Sequence, residues 1–313
     1  MLFIPYTASL QLARTPWLTI GISLLCVGTF VAQTHTWNAF IDATESFCSA
    51  DKPRMFEFAL KSAMGATDAD ACTNMMLDLR LATTPEERIS RFFDDTEPLA
   101  GMSVEETQTY FAAVVHKEYR RYEAHAPDEL TADLDYRPSS WNPWRMVTST
   151  IAHGGWVHLI GNVLFFIAFA ATVEVALGSL GFLAVFLGSC LFNGAVYSIV
   201  SMSDGQDIPT IGLSGIVMTM MALLAFLIPF VRIRCFVWII LVFRTIGLPA
   251  WLLALWYVSW DLYYLLTVGG NSGVNFSAHV SGAAFGILVG AFFCQKRKDQ
   301  LRWMARQAMV PVS

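Results

Sequence analysis

Ser214 lies in the run Ile211-Gly212-Leu213-Ser214-Gly215, and His279 in Ala278-His279-Val280-Ser281-Gly282, each opening a long apolar stretch. A serine hydroxyl is a weak nucleophile until an adjacent base takes its proton, and imidazole, whose ordinary pKa lies near neutrality, suits that role. A third run, His153-Gly-Gly-Trp-Val-His158-Leu-Ile-Gly-Asn162, opens another apolar stretch. His158 and Asn162 are four apart and share one helical face, whereas His153 falls at the helix mouth on a different one. The chemistry these groups suggest is acyl transfer. Ser214 attacks, His279 takes its proton, and His158, Asn162 and the Ser214 N–H hold the developing oxyanion. No acid is expected beside His279: Asp204 and Asp207 lie in a connection, Glu174 at the far end of its apolar stretch, and Asp261 in mid-helix. The expected unit is therefore a Ser–His dyad.

Each of these groups has a plainer reading. A His, Asn or Ser in an apolar helix often only bonds a neighbouring helix, and Gly often only permits close approach. From His279, glycines recur at 282, 286 and 290, a stripe on which another helix can pack. What favours chemistry is the common level of the polar groups, which follows from the elements that carry them.

The chain has 313 residues, 55% hydrophobic and 14% charged, with a mean hydropathy of +0.49. An average globular domain carries about a quarter charged residues. That deficit excludes an ordinary soluble enzyme, a disordered chain and a coiled coil. A net charge of −5, with no basic block longer than three, excludes a nucleic-acid binder. Six scattered cysteines without a C-x-x-C pair suggest neither a disulfide scaffold nor zinc, and no metal or organic cofactor is expected. The composition is that of an integral membrane protein.

A spanning helix needs about 20 mostly apolar residues. Six segments meet this: 17–34, 152–173, 180–200, 213–231, 249–267 and 277–294. The first is expected to remain as a membrane helix, because no small-x-small cleavage site follows it. A further apolar run, 235–243, is bracketed by Arg232, Arg234 and Arg244; too short to span, it is expected to lie in the membrane interface, with Pro249 marking the next break. Basic residues at Arg14, at 232–244 and at 296–306 place both termini in the cytoplasm, while the connections 201–212 and 268–276 hold no Lys or Arg. Spans two, four and six then enter from outside. His158, Asn162, Ser214 and His279 all fall near the outer leaflet. The connection 268–276, with three glycines and two asparagines, suits a mobile cap over them.

Residues 35–147 hold twenty of the 25 acidic and eleven of the 20 basic residues, a polar insert in an apolar chain. The expected organisation is a cytoplasmic N-terminus with the first span (1–35), an external helical insert (36–140), a core of five transmembrane helices (141–295) and a basic cytoplasmic tail (296–313). Within the insert, Thr84-Pro85 reads as an N-cap with proline in the first turn, and Ser103 with Glu106 as a capping box opening a helix to about Ala124. Cys48 and Cys72 can pair if the insert faces an oxidising compartment. Spacing is its default role, with substrate recognition and docking of a partner of unknown identity as the alternatives. The basic tails and the lack of a targeting extension suit a bacterial inner membrane.

Taken together, these residues resemble the rhomboid family of intramembrane serine proteases. The resemblance covers about 141–294 and rests on Trp144-Arg145, on His153 with His158 and Asn162, and on Glu174-x-x-x-Gly178. Gly212-x-Ser214-Gly215 and Ala278-His279-x-x-Gly282-x-x-x-Gly286 complete it. It implies an all-α integral membrane protein, a six-helix bundle with the insert between spans one and two. It further implies that Ser214 is the nucleophile, His279 the general base, and His158 and Asn162 oxyanion donors, with His153, Gly212 and Gly215 in supporting positions; Trp144, Arg145 and Glu174 would be structural. Substrates would be single-span membrane proteins in the bilayer, with no nucleic acid and no cofactor. One departure is Met218, where many members carry an aromatic that stacks on the histidine. The alternative is a catalytically inactive rhomboid-like protein that binds membrane clients. A solute transporter is disfavoured by the lack of an inverted repeat.

Overall fold

A computed structural model describes residues 2–8, 14–82, 84–239, 242–268 and 273–308. The chain is mostly helical. In order it forms β1 (Leu2–Ala8), α1 (Trp17–Ser49), α2 (Arg54–Met64), α3 (Ala69–Leu81), α4 (Pro85–Arg91), α5 (Val104–Glu123), α6 (Leu130–Leu134) and α7 (Pro143–Thr148). There follow α8 (Trp156–Leu177), α9 (Ser179–Ser203), α10 (Ser214–Leu227), β2 (Arg232–Ile239), β3 (Val242–Pro249), α11 (Ala250–Thr267), α12 (Phe276–Phe293) and α13 (Gln295–Ala308). The chain divides into two compact units, Met1–Val31 with Asp133–Ser313, and Ala32–Ala132.

Four helices, α1, α8, α9 and α12, are long and apolar enough to cross a membrane. The sequence places a span at 213–231, but α10 stops at Leu227 after only 14 residues, because Pro229 cannot continue a helix and disfavours helical backbone at Ile228. The helix also begins late, at Ser214. At 1.5 Å per residue it is about 21 Å long, short of the roughly 30 Å hydrocarbon core. It is nonetheless the most enclosed helix, with Met220, Met221, Leu223, Leu224 and Leu227 fully buried. α1 runs on to Ser49 well beyond the expected 34, since the sequence has neither glycine nor proline from 29 to 52.

Apolar side chains gain little by facing one another rather than lipid, so helix association depends on close packing and polar bonds. α10 and α12 supply both. Thr219 Oγ1 donates to the Gly282 carbonyl at 2.9 Å and lies 2.6 Å from Ser189 Oγ on α9. Asn193 on α9 accepts from Ser281 Oγ at 3.1 Å. At the other end of the bundle the basic tail closes helices. Arg302 on α13 donates to the carbonyls of Phe226 and Leu227 at the end of α10, and Arg297 to that of Ala176 in α8.

The apolar run 235–243 adds something the spacing of spans does not reveal. Its described residues, 235–239 and 242–243, belong to an antiparallel pair, β2 with β3, matched Arg232 to Pro249 and Ile239 to Val242, and β1 adds a third strand, Leu2 opposite Trp238. The alternation is that of a strand: Ile233 and Cys235 are buried while Arg232, Arg234 and Phe236 face out. Because β1 precedes α1 and β2 follows α10, the sheet ties the N-terminal segment to the connection after the fourth expected span.

The unit Ala32–Ala132 has its own core, built from Phe40, Phe56, Leu60, Met75, Met76 and Phe111, with Cys48 and Cys72 joined in a disulfide. Ser103 opens α5 as a reciprocal capping box with Glu106, and the helix ends at Glu123. Thr84 takes the N-cap position of α4, but its hydroxyl donates to Glu87 rather than capping a backbone N–H.

Candidate active site

Ser214 is the first residue of α10, where the opening N–H groups of a helix have no partner within it and the dipole is positive. The chain reaches it through Gly212, whose N–H donates to the Ser149 carbonyl at 2.8 Å. Gly212 has φ of +119°, and a Cβ there would come within 2.7 Å of the His158 ring and 3.6 Å of Asn162 Nδ2. Only glycine fits. Its bareness lets the Ser214 turn lie directly against α8. Gly215 permits the second close approach, since a Cβ there would meet Asn193 at 2.9 Å and the Ala278 carbonyl at 3.1 Å.

Opposite Ser214, the first turn of α12 is capped by Asn275, whose Oδ1 accepts from the Ala278 N–H at 2.9 Å while its Nδ2 donates to Thr210 at 3.0 Å. This fixes the helix start that carries His279. His279 Nε2 lies 2.7 Å from Ser214 Oγ. The imidazole is only 15% exposed and meets the ring of Phe276 edge-on, 6.0 Å between centroids.

Asn162 is buried, and its Nδ2 has no hydrogen-bond acceptor among the described residues. His158 Nδ1 accepts from the Gly154 N–H at 3.3 Å, so in the neutral ring the proton sits on Nε2 and that nitrogen is a donor. Two side-chain donors thus converge beside Gly212, next to Ser214. His153 is buried behind them, its ring 5.2 Å from that of His158 and inclined to it by 65°, and its Nδ1 is 3.2 Å from the Ile151 carbonyl. A cavity reaches Ser214 between α9, α10 and the start of α12, lined by Met146, Asn193, Gly194, Gly215 and Ala278 among others.

Asp261 corrects the expectation that no acid stands near His279. Its Oδ2 is 3.0 Å from His279 Nδ1, and its side chain is 11% exposed. Position along α11 measures depth within that helix but not its offset against α12. A signal was present in the sequence: Ala250, Leu253, Ala254 and Asp261 form the buried stripe of α11, while Trp256, Trp260 and Tyr263 face outward. Phe276 is a second site residue that the motif spacing does not single out. Met218, where the resemblance implies an aromatic in many members, is buried in the main core. The cap expected at 268–276 centres on residues 269–272, which lie outside the described residues.

The remaining motif residues hold structure. The Glu174 carboxylate accepts from the N–H groups of Leu18 and Thr19 and from the Thr19 hydroxyl, at 2.7–3.0 Å, and so closes the N-terminus of α1. Arg145 pairs with Asp135 at 3.6 Å, and Asn142 caps the helix that bears Trp144. Among the described residues no three His, Cys, Asp or Glu side chains gather as a metal site.

A family model described as "Rhomboid domain" matches residues 140–296. A Bacillus subtilis (strain 168) protein named "Putative rhomboid protease YdcA" is 26% identical over 158 residues, 50% of this chain and 70% of that protein. "Presenilin-associated rhomboid-like protein, mitochondrial" of Mus musculus is 25% identical over 170 residues, and its Homo sapiens counterpart likewise. The match spans 53% of this chain but only 41% of the length of those relatives.

Proposed function

From the premise that this chain belongs to the rhomboid family of multi-pass membrane proteins, we propose that it is a serine endopeptidase that cuts within the bilayer. Its substrates are single-span membrane proteins, cleaved in or near the outer leaflet. The observation that carries this reading is the 2.7 Å contact between Ser214 Oγ and His279 Nε2 at a half-buried helix start, beside two side-chain donors.

In the proposed reaction, Ser214 Oγ adds to the scissile carbonyl as its proton passes to His279 Nε2. The carbonyl oxygen becomes an anion received by Asn162 Nδ2–H, His158 Nε2–H and the N–H groups opening α10. As the tetrahedral species collapses, the C–N bond breaks and His279 returns the proton to the leaving amine, leaving an ester on Ser214. A water molecule, deprotonated by His279, then hydrolyses that ester and restores the serine. Ser214 lines a cavity and is reached through Gly212, which packs against His158 and Asn162 of α8; this supports attack on a segment unwound from its helix rather than on an intact one. Both termini in the cytoplasm and the 36–140 insert outside, in a bacterial inner membrane, complete the reading.

The test is fluorophosphonate labelling of the purified full chain in detergent, beside Ser214→Ala and His279→Ala. Labelling of the wild type alone supports an activated Ser214. A folded wild type that resists the probe would overturn the reading and favour a client-binding protein without activity.

A further inference from the structure

We propose that Asp261 is a positioning residue for His279, so that this chain works with a Ser214–His279–Asp261 relay instead of an unassisted dyad. The inference rests on the proteolytic reading above. Its geometry is linear in connectivity: Asp261 Oδ2 is 3.0 Å from His279 Nδ1, and His279 Nε2 is 2.7 Å from Ser214 Oγ. A carboxylate can only accept, so Nδ1 carries the proton and Nε2 turns its lone pair toward the hydroxyl. That is the tautomer a general base needs. When the proton moves from Ser214 Oγ to Nε2, the ring becomes an imidazolium whose other nitrogen is held by the Asp261 carboxylate.

The cost of the group supports a purpose. A carboxylate on the inner face of an apolar helix is expensive unless paired, and Asp261 faces the one ring whose charge changes in the cycle. Its place on the buried stripe of α11, directed at α12, also gives α11 a task in the site that packing alone does not explain. The edge contact with Phe276 limits ring tilt, but carries no preference between tautomers.

The experiment measures fluorophosphonate labelling of the full chain against probe concentration, separating the maximal labelling rate from the probe's half-saturating concentration. Asp261→Asn is expected to lower the maximal rate about 10²-fold or more, with half-saturation unchanged. Because a carboxamide can donate to Nδ1 and hold the wrong tautomer, Asp261→Asn should be at least as slow as Asp261→Ala, and Asp261→Glu should recover part of the rate. A packing role reverses that order, the near-isosteric Asn being mild and Ala severe. Asp261→Asn labelling at the wild-type rate, or that reversed order, overturns the inference while leaving the proteolytic reading intact. A folded wild type that does not label overturns both. Where Asp261→Ala fails to fold, 15N spectra of histidine-labelled protein, assigned by difference with His279→Ala, decide the matter. The expected result is a protonated Nδ1 in the wild type that is lost in Asp261→Asn; a wild-type Nε2–H tautomer overturns the relay.

Discussion

A Cβ on Gly282 would stand 2.2 Å from the carbonyl oxygen of Gly215, so the helices carrying His279 and Ser214 touch backbone to backbone within one turn of those residues. That contact sets the distance between nucleophile and base. Alanine is a better helix former than glycine by about 1 kcal/mol, yet Gly282→Ala should destabilise, because overpacking costs roughly 1–3 kcal/mol and the neighbour is rigid backbone. A displacement of about 1 Å should slow Ser214 labelling on the order of 10²-fold. Gly28→Ala, with open space around the new methyl group, is the control and should label normally. Equal rates in the two variants would mean that this contact does not set the catalytic spacing.

Asn162 should separate activity from stability. Its buried Nδ2 has no acceptor among the described residues, and a buried donor without a partner is unfavourable to the fold. Asn162→Ala should therefore leave the thermal midpoint near or above that of the wild type. Turnover of a reconstituted transmembrane substrate should fall on the order of 10²–10³-fold, the usual effect of removing one oxyanion donor. A lower midpoint with unchanged turnover would assign Asn162 to packing instead.

The contrast between Asn162 and Asp261 shows what the sequence made legible. Asn162 and His158 share a face by spacing alone, and the level of Ser214 and His279 follows from counting spans. The Gly282, Gly286 and Gly290 stripe likewise announces a close neighbour, which proves to be α10. Asp261 escapes such counting because its meaning depends on the offset and rotation of α11 against α12. The sheet escapes for a related reason: β2 and β3 are short, and β1 lies more than 200 residues away in sequence, so no local periodicity links them. The early end of α10 is legible at Pro229, although the apolar run that suggests a longer helix continues past it.

Glu174 should matter for folding and not for chemistry. It accepts three hydrogen bonds at the start of α1 and is 2% exposed. Glu174→Gln keeps the shape but puts an amide donor where at least one N–H or O–H now points. Losing a hydrogen bond to a charged acceptor costs about 1.5–3 kcal/mol. The unfolding midpoint in detergent should drop accordingly. Labelling of Ser214 well below that midpoint should match the wild type, because Glu174 lies about 18 Å along α8 from Asn162. Normal thermal stability in Glu174→Gln would argue against the cap.

The insert offers a pH test independent of the membrane. The Ser103 backbone N–H, and then its hydroxyl, bond to Glu106 and hold that carboxyl below the ordinary carboxylate range. Folding thus lowers this pKa. The contribution is complete above the unfolded-state value of about 4.3, and is lost as pH falls through the lower folded-state value. Amide exchange in the first turn of α5, corrected for intrinsic rates, should therefore be slower near neutrality and accelerate selectively in acid. Replacing Glu106 by alanine should raise exchange at neutral pH and flatten that acid dependence, because it removes the carboxylate that accepts from the Ser103 N–H. An acid dependence in Glu106→Ala as steep as in the wild type would assign the titration to other carboxylates of the insert.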